Sequence, residues 1–147
     1  MIALNINGAT SKLETLACLK LLNRYDIVIL SEIRCNYPFS VPGFRCIRSA
    51  TMPGEDTRGV AILFKLCIWS CVYSVFTTRD QVWFSLKGPD IRIGGVYIAS
   101  SDSPYFSNQS FANIQEQTLE HQDIILLGDL NARIPNLNTL SKNINYS

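Results

Sequence analysis

The chain has 147 residues, 47% of them hydrophobic and 17% charged, and a formal net charge of +1. That length and composition suit one domain with a real core and exclude a disordered chain. The near-neutral balance excludes a basic tail or a global electrostatic attraction for nucleic acid, leaving at most a local basic face from residues such as Arg34, Arg58 and Arg133.

Residues 2–6 read as a first strand, with Asn5 and Asn7 at its exit and Asn7-Gly8 as a turn. Ser11-x-x-Glu14 offers a capping box for a helix with Leu13, Leu16, Ala17 and Leu21 on its apolar face, ending near residues 23–25. A second strand follows at 27–31. Residues 34–43 are loop, punctuated by Pro38, Pro42 and Gly43, and 44–48 alternate as a half-buried strand. The stretch 51–57 is an exposed loop, and strands follow at 59–64, 68–75 and 81–86. The long apolar stretch 59–76 is two adjacent strands rather than a membrane span, because Lys65 interrupts it and its content is β-branched and aromatic. Gly88-Pro89-Asp90 is a tight turn, so 81–98 form a hairpin. After a Ser-rich loop at 99–108, Ser107, Asn108 and Ser110 are alternative caps for a second helix with Phe111, Ile114 and Thr118 or Leu119 on its apolar face. His121 lies at its end. Residues 124–128 read as a strand buried on both faces, and 134–147 as an irregular tail.

One phrase occurs twice. Asp26-Ile27-Val28-Ile29-Leu30-Ser31-Glu32-Ile33 matches Asp123-Ile124-Ile125-Leu126-Leu127-Gly128-Asp129-Leu130 position by position, and each copy follows a helical segment. Two related halves are implied, each delivering an acid to the end of a strand, where a rigid support can present polar groups to a ligand. Element order gives a mixed α/β layered fold with sheet inside and helices outside, in a single domain. Five cysteines without a Cys-x-x-Cys pair, and one histidine, argue against a disulfide framework and a zinc site. They suit a reducing, intracellular compartment, cytoplasm or nucleus, and no signal peptide is visible.

The chain resembles the endonuclease/exonuclease/phosphatase superfamily, and within it the apurinic-type endonuclease domain of non-LTR (LINE-like) retrotransposons. The motifs that carry the resemblance are Leu4-Asn5-Ile6-Asn7-Gly8, Ser31-Glu32, Arg58-Gly59-Val60-Ala61-Ile62-Leu63, Val96-Tyr97-Ile98 and Gly128-Asp129-Leu130-Asn131-Ala132-Arg133, in the family's order. The resemblance implies a four-layer α/β/β/α sandwich over residues 1–133, lacking its last strands. It also implies phosphodiester hydrolysis with Mg²⁺ (or Mn²⁺), with DNA as substrate and no membrane. Glu32 is the implied metal ligand, and Asn5 the residue holding Glu32 or a metal-bound water. Asp129 is implied to orient or deprotonate the attacking water. Asn131 and Tyr97 are the implied donors to the phosphate, with Arg58 and Arg133 as further phosphate contacts. The family completes its site with a later Asp and a Ser-Asp-His motif that these residues do not include. The expectation is therefore a truncated, weakly active or inactive piece whose 124–128 strand has an open, aggregation-prone edge and whose solubility is poor. A non-catalytic remnant, or a phosphatase or RNA nuclease of the same fold, are the alternatives.

Overall fold

The structure, a computed structural model, describes residues 1–9, 11–35, 38–50 and 58–131. Arg133, the loop at 51–57 and the tail at 134–147 lie outside the described residues. In chain order the elements are β1 (Ile2–Asn5), α1 (Leu16–Leu22), β2 (Ile27–Ser31), β3 (Phe44–Arg48), β4 (Val60–Lys65), a 3-10 helix (Leu66–Cys71), β5 (Val72–Thr77), β6 (Gln81–Leu86), β7 (Ile91–Tyr97), α2 (Asn108–Leu119) and β8 (Asp123–Asp129).

The strands make two sheets, ordered β1-β2-β4-β3 and β5-β6-β7-β8. Each contains one parallel pair, β1 with β2 and β7 with β8, and antiparallel pairs otherwise. Each parallel pair is joined through a helix, as parallel strands require. Alternation along the strands then builds two cores. Val28, Leu30, Ala61 and Leu63 face outward and pack with Leu13 and Leu22 around α1. Ile27, Ile29, Val60, Ile62 and Phe64 face inward and meet Val82, Phe84, Ile93 and Tyr97 of the second sheet. Side chains of period two on both faces explain why β2 and β4 are near-continuous apolar runs. With α2 on the outside of the second sheet, the layers are α/β/β/α.

The second helix is held by polar contacts. Gln81 Nε2 donates to the Ser110 carbonyl at 2.6 Å, and buried Arg92 donates to Gln117 Oε1 at 2.6 and 3.0 Å and to the carbonyl of Ser74. Ser110 and Gln117 are the residues α2 buries, while Phe111 and Leu119 are exposed. Of the expected apolar face, Phe111, Ile114 and Thr118 or Leu119, the structure leaves Phe111 and Leu119 exposed and Ile114 and Thr118 half-buried, because the partners that α2 meets on the sheet are polar. Ser107 is the cap, accepting from Gln109 N–H at 3.2 Å.

Other expectations shift by a turn. Helix α1 is capped by Thr15, whose hydroxyl accepts from Cys18 N–H at 3.2 Å, not by the box at Ser11. Its buried side is therefore Cys18, Leu19 and Leu22, with Ala17 and Leu21 exposed. Residues 66–71 form a 3-10 helix that brings Trp69 back to Phe64, ring centroids 5.8 Å apart, so the strand expected at 68–75 begins at Val72. Lys65 pairs with Asp26 at 3.3 Å. Among the described residues, no helix is long and apolar enough to cross a membrane. The four apolar residues of β8 are half-buried, not buried on both faces, because β8 pairs only with β7 among the described residues. None of the five cysteines is in a disulfide, and burial pushes the Cys46 thiol up to about 11 against the opposing pull of Arg48.

Candidate functional site

Strands β1, β2, β7 and β8 leave their sheets at the same end of the sandwich, and that end is built from tight turns. At the exit of β1, Asn7 N–H donates to Asn5 Oδ1 at 3.1 Å, with Asn7 at φ 44°. At the exit of β8, Asn131 N–H donates to Asp129 Oδ1 at 3.0 Å, with Asn131 also at φ 44°. These are the same turn, an Asx side chain closing on the backbone two residues on. Asn5 Nδ2 donates across to Asp129 Oδ2 at 3.2 Å, so the two turns bridge the two sheets. Between them lies a cleft of about 190 Å³ lined by Ala3, Leu4, Asn5, Ser31, Gly128 and Asp129.

Gly128 is required for this approach. Its φ is +135°, and a Cβ there would run into the carbonyl of Val96 on β7. Glu32, one residue past β2, sits at φ 54°, and its carbonyl accepts from Gly8 N–H at 2.8 Å. Its carboxylate pairs with Arg34 at 3.2 Å, the glutamate side chain 15% exposed and the arginine 39%. Asn7, Glu32, Arg34 and Asn131 are four of the five non-glycine residues with positive φ among those described. Left-handed backbone is costly for such residues and concentrates where structure over-determines it.

Tyr97 closes β7 directly in register with Asp129, only 5% exposed and packed in the core between the sheets. Its other side lines a separate hollow with Arg58, Gly59, Arg79 and Tyr105. Asn131 Nδ2 donates to the Ile98 carbonyl at 2.8 Å, and Ile98 N–H donates to the Asp129 carbonyl at 2.8 Å. One of the two amide N–H bonds of Asn131 is therefore committed to backbone. Asn5, expected to hold Glu32 or a metal-bound water, has its amide N–H on Asp129. Arg58 is half-buried at the entry to β4.

Several groups at this end carry no sequence signal. Lys12 Nζ donates to the carbonyls of Ile6 and Asn7 at 2.5 and 3.2 Å. Asp80 accepts from the hydroxyls of Thr78, at 3.1 Å, and Ser110, and its carbonyl accepts from Tyr97 N–H at 2.9 Å. Arg79 lies over the ring of Tyr105, 5.7 Å from its centroid. Arg34 was legible only as a member of a local basic face.

Among the described residues, no three His, Cys, Asp or Glu side chains gather as a metal cage. The oxygen donors at these strand exits are the carboxylates of Glu32 and Asp129 and the amide oxygen of Asn5, and of these Asn5 and Asp129 line the cleft while Glu32 is not among its lining residues. Mg²⁺ takes oxygen ligands, keeps several waters and is commonly held by one or two carboxylates. By donor type these residues fit it, with the carboxylate of Glu32 shared with Arg34.

The Endonuclease/Exonuclease/phosphatase family profile matches residues 2–143. No curated protein matches. Among solved structures, the 3′ phosphatase NExo from Neisseria bound to product DNA hairpin is similar at TM-score 0.62 and 23% identity, over 88% of this chain and 57% of that one. The endonuclease domain of TRAS1, a telomere-specific non-LTR retrotransposon, is similar at TM-score 0.59 and 19% identity, over 90% and 61%. The AP endonuclease LMAP from Leishmania major is similar at TM-score 0.67 and 15% identity, over 89% and 54%. At these identities the likeness is one of fold. The chain spans little more than half the length of each of these structures.

Proposed function

Because the chain belongs to the Endonuclease/Exonuclease/phosphatase family, we propose that it serves as the nuclease sandwich of a DNA endonuclease of the non-LTR retrotransposon kind, hydrolysing phosphodiesters with Mg²⁺. The observation that carries this reading is the Asn5–Asp129 bridge at 3.2 Å, which joins the polar exits of β1 and β8 across the two sheets. Two halves built to meet at polar strand ends serve a ligand better than they serve stability, since the bridge is exposed.

The roles follow from chemistry. Phosphodiester hydrolysis needs charge neutralised on the phosphate, a positioned water and donors to the phosphoryl oxygens. Charge neutralisation is what a Mg²⁺ ion supplies when Glu32 holds it. The Asp129 carboxylate, fixed by Asn5 and by Asn131 N–H, orients the attacking water and accepts its proton. The second N–H of the Asn131 amide and the Tyr97 hydroxyl donate to phosphoryl oxygens. Arg58 and Arg133 contact neighbouring phosphates. The same groups would serve a phosphomonoester, the class named for the Neisseria 3′ phosphatase.

The test is plasmid nicking by the protein as its reading frame encodes it, in Mg²⁺ and in EDTA. Open-circle product should appear only with Mg²⁺, and Glu32→Gln or Asp129→Asn should each lower its rate at least about a hundredfold. Nicking that survives both substitutions, or no Mg²⁺-dependent product, would overturn the reading. A hairpin ending in a 3′-phosphate, assayed alongside, separates phosphatase from nuclease.

A further inference from the structure

Lys12 has no task in the proposed hydrolysis, yet its ammonium closes the loop that joins the site's parts. Residues 6–9 leave β1 and run past the exit of β2. On one side their N–H groups are held: Ile6 N–H donates to the Ser31 carbonyl at 3.0 Å, Gly8 N–H to that of Glu32 at 2.8 Å and Ala9 N–H to that of Ile33 at 2.8 Å. On the other side the carbonyls of Ile6 and Asn7 both accept from Lys12 Nζ, at 2.5 and 3.2 Å. Asn7 is at φ 44°, a conformation that persists only where its surroundings over-determine it. An ammonium suits the task, because it carries three donors and its hydrogen bonds are stronger than those of a neutral group.

Lys12 is itself fixed. Ala9 and Leu13 are buried, and Leu13 N–H donates to the Ala9 carbonyl at 3.1 Å. The Lys12 carbonyl accepts from the Thr15 hydroxyl at 2.9 Å, and that hydroxyl caps α1 by accepting from Cys18 N–H at 3.2 Å. Among the described residues Lys12 has no ion-pair partner, and both of its side-chain hydrogen bonds go to the loop. One run of contacts therefore leads from the cap of α1 through Lys12 to the Asn5–Asn7 turn, and on through the Asn5 amide to Asp129. The same loop reaches the other acid, through Gly8 N–H on the Glu32 carbonyl.

We propose that Lys12 is a positioning residue for the hydrolysis: by holding the carbonyls of Ile6 and Asn7, it fixes the turn that sets the Asn5 amide on Asp129. This rests on the nuclease reading above, in which Asp129 orients the attacking water. Without the ammonium the turn loosens, and the Asp129 carboxylate loses the donor that orients it. A misplacement of about 1 Å in a reacting group costs up to about a hundredfold in rate. Substrate does not touch Lys12 in this role, so the loss falls on the chemical step and spares binding.

The experiment is steady-state nicking of a labelled duplex in Mg²⁺ by the protein as its reading frame encodes it. Lys12→Met keeps the length of the stem and loses the donors. It should lower kcat about tenfold and leave KM unchanged. Lys12→Arg keeps N–H donors and charge and should recover most of the loss. Lys20→Met removes an exposed lysine from the last turn of α1 and should change neither constant. Two readouts do not depend on cleavage. In nitrogen-15 NMR spectra the Asn5 side-chain amide should shift in Lys12→Met and stay in place in Lys20→Met. In anisotropy with Ca²⁺ the slope of log affinity against log salt should be the same for the native chain and Lys12→Met. Lys12 is exposed, and circular dichroism checks that each variant is folded. An unchanged kcat or an unmoved Asn5 amide would overturn the positioning role and leave the nuclease reading standing. So would a raised KM with a slope lower by about one, the mark of a direct phosphate contact. A native chain that does not nick would overturn both.

Discussion

The unit β1–α1–β2 and the unit β7–α2–β8 are one plan executed twice. Each is a parallel strand pair with a crossover helix, and each second strand runs Asp, four apolar residues, a small residue and an acid. The match extends past the strands. Glu32 is approached by Arg34 and Asp129 by Asn131, both two residues on, at φ 41° and 44°. The difference is in what surrounds the two units. β2 lies between β1 and β4, and all five of its residues are buried; β8 has β7 on one side only, and its apolar residues are half-buried. α1 sits on an apolar stripe, α2 on Gln81 and Arg92 of its sheet. Local sequence therefore fixes the path of a strand and its turn, while neighbouring strands decide its burial.

The largest effect should come where the two phrases differ. Position 31 is serine and the matching position 128 is glycine. Gly128 sits at φ +135° against the Val96 carbonyl, so Gly128→Ala adds both backbone strain and a collision. A loss of more than about 3 kcal/mol is expected, enough to unfold a marginal domain. Ser31→Gly should cost only about 1 kcal/mol, the entropy of a strand glycine. Urea melts of the two variants decide it. Similar losses would mean that the halves tolerate their turns equally and that the close approach of β8 to β7 is not special.

Next come the helices. Leu22→Ala removes a fully buried side chain from the core under α1 and should cost about 3 kcal/mol. Arg92→Gln leaves Gln117 Oε1 and the Ser74 carbonyl without their donor and should cost about 2 kcal/mol. Burial already lowers the pKa of Arg92, with Glu120 opposing the shift. Hydrogen exchange sharpens the contrast: Leu22→Ala should speed exchange in α1, and Arg92→Gln in α2, each sparing the other helix. Uniform acceleration by both would show one cooperative unit in place of two separately docked helices.

Much of this was legible in the sequence. The strands at 2–6, 27–31, 44–48, 59–64, 81–86, 91–98 and 124–128 announce themselves by apolar runs bounded by turn residues, and the repeated phrase located Glu32 and Asp129. What was not legible has physical causes. Ser11 and Thr15 are both competent caps, and only packing selects Thr15. Residues 66–71 are an apolar run that periodicity alone cannot assign. The docking stripe of α2 hides because Ser110 and Gln117 are polar, so an apolar-face reading passes over them. The Asn5–Asp129 bridge and the Arg79–Tyr105 stack join residues far apart in the chain, which no local pattern encodes.

The smallest effect is at the bridge itself, and it separates structure from site most cleanly. Asn5→Ala removes one exposed hydrogen bond to Asp129, so its cost should stay under about 1 kcal/mol. Asn5→Asp is the sharper variant. It sets a second carboxylate against Asp129, and like charges at that distance raise the carboxyl pKa values of the folded state. A raised folded pKa means stability that is full at acid pH and falls as pH rises through the carboxylate range, about 4 to 6. In EDTA at pH 7 the aspartate variant should therefore be less stable than the alanine variant, and the order should close as pH falls toward 4. Mg²⁺ at pH 7 should also close it, because a cation between two carboxylates replaces repulsion with shared ligation. Thermal melts at two pH values, with and without the ion, read all of this. If Asn5→Asp melts like Asn5→Ala under every condition, the two strand ends do not share a cleft, and the two halves meet there only as scaffold.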